Sequence, residues 1–164
     1  MEPIARYLMW FVAALFGAFA LVIVSASSAK ADSLVVTGFA WHAAAHNRGE
    51  KNANYNEVNP GLGYEYDVDA DHGVAVGFYQ NSFYKHSNYL LWSWQPAHLD
   101  TAYGDWKAGF YTGAVTGYHE GEANFVVLPT VSYTYKGVGF NLAILPVPPI
   151  SQKGIAALQF KWGF

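Results

Sequence analysis

A histidine and a serine brought to the same place can supply a general base and a hydroxyl, and His42 and Ser82 are the residues of this chain that invite that reading. His42 is expected on the strand face opposite Val35, Phe39 and Trp41, so that it points inward near the end of its strand. Asn81 and Ser82 close another strand at the same end. Two strands separate by about 10 Å across a sheet, so contact between the two residues depends on how the loops fold. On residue types alone, ordinary structural roles remain open for all three. Other candidates fail on spacing. Asp67-Val68-Asp69-Ala70-Asp71 opens like a calcium loop, but His72 stands where glycine is needed and Phe78 where the bidentate glutamate is needed, which leaves a solvated turn. His42 and His46 would lie about 13 Å apart along a strand, too far to share a metal. His72, His98 and His119 fall in different connections and suggest no constellation. With no cysteine, disulfides, thiolate zinc sites and a cysteine nucleophile are excluded. No metal or organic cofactor is expected.

The elements that must hold these residues are short and alternating. The 164 residues are 52% hydrophobic and 18% aromatic (12 Tyr, 11 Phe, 6 Trp) but only 13% charged, more aromatic surface than a small soluble core can bury. The shortage of charge and the net charge of -3 argue against disorder and against nucleic-acid binding. Arg6, the apolar run from Leu8 to Val24 and the Ala29-Lys30-Ala31 triplet before Asp32 have the layout of a signal peptide cleaved after residue 31; a retained membrane helix is the alternative. The expected organisation is a 1–31 signal peptide and a 32–164 barrel.

Within 32–164 the period is two. Ala156, Leu158, Phe160, Trp162 and Phe164 share one face, against Ala157, Gln159, Lys161 and Gly163 on the other. The same pattern gives eight candidate strands, near 33–46, 56–68, 72–82, 87–96, 105–118, 123–135, 137–147 and 154–164. Large apolar residues on one face and mostly Gly, Ala, Asn, Ser and Thr on the other predict an all-β, eight-stranded antiparallel transmembrane β-barrel, a monomer in a Gram-negative outer membrane. Connections near 47–55, 83–86, 119–122 and 148–153 would face the cell exterior, and those near 69–71, 97–104 and 136 the periplasm. Arg48, Lys51, Lys85 and Lys153 would then form a basic exterior rim suited to lipopolysaccharide phosphates, or simply solvated loop charge. Val126, Leu128, Leu145 and Val147 would line the upper lumen, either as a bed for a hydrocarbon chain or as side chains that fill a narrow barrel. Pro129 and Pro146 cannot donate to a ladder and would loosen pairing between the sixth and seventh strands.

Trp41-His42-Ala43, Tyr55-Asn56-Glu57, Pro60-Gly61, Gly63, Asn81-Ser82, Trp94-Gln95-Pro96, Gly109 to Gly113, Leu128-Pro129, Leu145-Pro146 and the aromatic C-terminus follow one another in an order that resembles the lipid A palmitoyltransferase family of outer-membrane barrels. The resemblance spans nearly all of 32–164. It implies an acyltransferase that moves a palmitoyl-type chain from a glycerophospholipid donor to a lipid A acceptor, without cofactor, with the chain held in the upper lumen and lipids entering beside the prolines. The family's histidine, aspartate and serine correspond to His42, Asn81 and Ser82. His42 would be the general base, Ser82 the hydroxyl partner or transition-state donor, and Asn81 a residue that positions His42 or bonds the reacting carbonyl. Asn81 departs from the family's acid, the amphipathic helix before the first strand has no counterpart, and the stretch between Ser82 and Pro96 is shorter. If the missing charge limits the rate, Asn81→Asp is expected to raise it. The alternatives are a catalytically silent barrel that binds lipid or lipopolysaccharide, and a phospholipase or lipid A deacylase.

Overall fold

β-Branched and aromatic residues alternating with small ones suit a pleated sheet whose faces meet different surroundings, and all eight alternating stretches fold as strands. The computed structural model describes residues 32–42, 55–118, 122–145 and 154–164. Its elements are β1 (Ser33–His42), β2 (Val58–Asp67), β3 (His72–Gln80), β4 (His86–Thr101), β5 (Gly104–Val115), β6 (Asn124–Tyr135), β7 (Val138–Leu145) and β8 (Ile155–Gly163). Each strand pairs antiparallel with the next, and β8 returns to β1, from Ser33↔Gly163 to His42↔Ile155. The sheet is thus an all-β closed barrel. The expected segment 1–31, His46, Arg48, Lys51, His119, Pro146, Val147 and Lys153 lie outside the described residues.

Two bulges re-aim side chains. In β1 the register shifts between Thr37 and Phe39, so Ser33, Val35 and Thr37 face inward before it and Ala40 and His42 after it. Val35 is therefore inside with His42, a correction to the simple alternation, because the extra residue turns the strand over. In β4 the shift falls between Trp94 and Ala97, around Pro96. The chain does not stop there. It continues as strand to Thr101 and returns through Ala102-Tyr103, so the connection expected at 97–104 is mostly ladder. A proline at a bulge removes no needed ladder bond.

The interior has two storeys. Toward the His42 end, Ala75, Tyr89, Leu91, Tyr111 and Val115 form a buried cluster, with Tyr79, Tyr118, Val126 and Leu128 packed against it. Gly63 is what lets the Tyr89 phenol fit, since a Cβ there would come within 2.0 Å of its oxygen. Toward the Ser33 end the interior is polar and, against expectation, charged. Lys161 Nζ lies 3.0 Å from Glu65 Oε2, and Tyr111 donates to Glu65 Oε1 at 2.5 Å. Asn141 donates to Glu65 Oε2 at 3.3 Å; Ser132 donates to Asn141 Oδ1 and Gln95 to Ser132 Oγ, both at 2.7 Å. Outside, Phe39, Trp41, Leu62, Phe78, Trp92, Trp94, Phe125, Phe160 and Trp162 are all exposed.

Candidate functional site at the His42 end

His42 closes β1 and is buried. The Tyr55 ring is stacked on its imidazole with centroids 4.6 Å apart and planes 12° from parallel. Tyr55 in turn meets the edge of Phe83, and Phe83 that of Tyr118. The Tyr118 hydroxyl shares a 2.8 Å hydrogen bond with Tyr79, while burial pushes its ionisation above the ordinary tyrosine value, so it stays a neutral phenol. Next to Tyr55, the Asn56 backbone N–H donates to the Ser82 carbonyl at 2.9 Å. Residues 55 and 56 therefore tie the strand that carries His42 to the loop that carries Ser82. The sequence brought His42 and Ser82 to one end; the tie through Tyr55-Asn56 was not visible there, because it needs the register of β1, β2 and β3 together.

Asn81 is fully buried and its amide holds the loop together. Its Nδ2 donates to Ser87 Oγ at 3.0 Å and to the Gly117 carbonyl at 2.9 Å, and its Oδ1 accepts from the backbone N–H groups of Phe83 at 2.8 Å and Lys85 at 3.1 Å. Asn56 Nδ2 approaches the Asn81 carbonyl at 3.3 Å. The loop itself is a three-residue hairpin. Tyr84 N–H donates to the Asn81 carbonyl at 3.0 Å and Asn81 N–H to the Lys85 carbonyl at 2.8 Å, leaving Ser82-Phe83-Tyr84 at the tip. This is a type I turn followed by a residue in the left-handed region, a position that normally takes glycine. Here it holds Tyr84 at φ 60°, at a cost of about 1–2 kcal/mol. Lys85 is exposed beside it.

The remaining expected site residues distribute as follows. Val126 and Leu128 face the lumen as part of the packed cluster, so the upper interior among the described residues is filled by side chains. Leu145 ends β7 in line with inward-facing Asn141. Pro129 faces outward on β6, and the β6–β7 ladder ends one residue away, at Thr130↔Ala143. β7 nevertheless runs on to Leu145 against β8, and β6 back to Asn124 against β5. Among the described residues, the β6–β7 pairing therefore stops before Pro129, with no ladder partner for Leu128 and Pro129 on Leu145 and Ile144.

At the opposite end the histidines are not scattered. His72 Nδ1 pairs with Asp69 at 2.9 Å and His98 Nε2 with Asp71 at 2.9 Å, so β3 and the extended β4 both hold the 68–71 turn. Lys107 adds a 2.9 Å bond to the Ala70 carbonyl. Asp69 also accepts the backbone N–H groups of Asp71 and His72, which, with the His72 side chain, hold its carboxyl at about 2. The described residues contain no group of three or more metal-binding side chains.

No protein-family model matches the chain, and no curated protein matches it.

Proposed function

We propose that the chain is an outer-membrane acyltransferase of the lipid A palmitoyltransferase type, moving a palmitoyl-type chain from a glycerophospholipid to lipid A. The observation that carries the reading is the joining of His42 and Ser82 at one end of a closed barrel through Tyr55 and Asn56. A buried imidazole and a hydroxyl at the same barrel mouth suit proton removal from an attacking alcohol and donation to a developing oxyanion. The aromatic outer surface is the kind a bilayer covers, which supports a Gram-negative outer membrane, and export by the 1–31 segment and a single working copy complete the proposal. The end of the described β6–β7 ladder beside Pro129 suits sideways passage of a lipid chain there.

A second reading has its own support. The lumen is occupied by Tyr79, Tyr89 and Tyr111, and the Asn81 side chain is engaged within its loop, as in a barrel that binds lipid or lipopolysaccharide without chemistry. Mass spectra of lipid A from cells expressing the chain separate the two. The transferase adds the mass of one palmitoyl-type chain, and His42→Ala and Ser82→Ala each remove that addition while the barrel stays inserted. An unchanged spectrum from a folded, inserted wild-type barrel sinks the transferase reading.

A further inference from the structure

Tyr84 breaks a local rule of the backbone, and no ring contact or side-chain hydrogen bond with any described residue compensates for it. Its backbone occupies the left-handed position of the Ser82-Phe83-Tyr84 loop, where glycine or asparagine would sit without strain. Its side chain is 54% exposed and makes no ring contact or side-chain hydrogen bond with any described residue. Phe83 differs: its ring is wedged between Tyr55 and Tyr118 and so serves the packing of the site. Lys136 also has positive φ, but it shares a two-residue turn with Gly137, where both positions require that conformation, and its ammonium rests over the Tyr135 ring. Strain kept at a half-exposed aromatic with no ring or side-chain hydrogen-bond partner among the described residues, beside a candidate site, points outward, to a ligand.

We infer that Tyr84, with Lys85, forms a recognition tip for the phosphorylated sugar headgroup of a glycolipid. The inference rests on the acyl-transfer reading for the identity of the acceptor, lipid A. The chemistry is that of the two side chains. The face of a phenol ring carries partial negative charge and attracts the polarised C–H groups of a pyranose face. A neighbouring exposed ammonium supplies the charge for a sugar phosphate. The adjoining Ser82 belongs to the same loop, so a headgroup held at the tip is held beside the hydroxyl proposed to act on it. A phospholipid headgroup offers the phosphate but no sugar ring, which is why the acceptor is favoured over the donor.

The test uses the opposed signs of strain and recognition. The full barrel, folded in neutral-detergent micelles, is compared as wild type, Tyr84→Gly and Tyr84→Trp. Tyr84→Gly is expected to raise the urea midpoint and to weaken binding of bis-phosphorylated lipid A about tenfold. Tyr84→Trp keeps that binding. Phosphatidylglycerol binding is expected to be the same in all three, and phosphate-free lipid A to bind wild type more weakly than the phosphorylated form. A fall in the urea midpoint of Tyr84→Gly overturns the proposal, because the ring would then serve the fold or an interfacial belt. Equal lipid A affinity in wild type and Tyr84→Gly overturns it as well, as does an equal loss for phosphatidylglycerol. Acyl transfer is measured separately. A wild type that binds lipid A in a Tyr84-dependent way but transfers nothing refutes the transferase and leaves the recognition tip standing. A wild type that transfers, with an unchanged KM for lipid A in Tyr84→Gly, refutes the tip alone.

Discussion

Position 81 requires an amide. Two backbone N–H groups fix the side-chain oxygen, and the Gly117 carbonyl fixes the side-chain nitrogen, so the residue must accept on one side and donate on the other. A carboxylate does only the first. Asn81→Asp would set an anionic oxygen against the Gly117 carbonyl in a site without water access, and it is expected to lower stability by about 1–3 kcal/mol. Equilibrium urea unfolding reads this directly, and an unchanged or higher midpoint for Asn81→Asp would contradict the account. The amide's double duty was not legible in the sequence, since Ser87 and Gly117 are distant partners supplied by β4 and the end of β5. That His42 and Ser82 share one end was legible, because both lie near the ends of period-two stretches. Tyr84 was hidden for a different reason: the local sequence lacks the glycine that would have announced the turn.

At the scale of elements, the eight strands were readable from alternation, and the misplacements have a common cause. A bulge adds one residue and changes the facing of the strand across it, as at Gly38 between Val35 and His42 and at Pro96 before the last five residues of β4. Gly38 does not stand out among the many glycines of these strands, and Pro96 imitates a strand end. The extension of β4 matters because it brings His98 and Lys107 to the 68–71 turn, which reads from sequence as an isolated solvated loop. That turn has its own titration. Asp69 is held below its ordinary value of 3.8, at about 2, first by the Asp71 backbone N–H and then by the His72 side chain. A depressed carboxyl contributes fully above the ordinary value and loses its contribution as the pH falls toward 2. Carbon-detected NMR of the Asp69 carboxyl is expected to show a midpoint near 2, moved upward in His72→Ala. A midpoint near the ordinary value would mean the turn bonds do not persist.

Across the whole molecule, the Glu65–Lys161 pair anchors a polar network that takes residues from β2, β4, β5, β6, β7 and β8. Neither charge looked special in the sequence, because Glu65 precedes a run of aspartates, Lys161 is the one charge of β8, and only closure brings them together. Removing one partner leaves the other charge buried, so Glu65→Leu or Lys161→Met alone is expected to cost about 3–5 kcal/mol, while the double variant recovers most of that loss. Strictly additive urea midpoints would show that the two do not act as a pair. The β1–β8 seam carries a different consequence. Neighbouring strands elsewhere are neighbours in sequence, but the seam joins the first strand to the last. Until β8 has been made and has found β1, the growing sheet presents two unpaired rims that any similar chain can join. Folding yield is then governed by how quickly the seam is zipped compared with how often two unfinished sheets meet, a race that a very stable finished barrel does nothing to win.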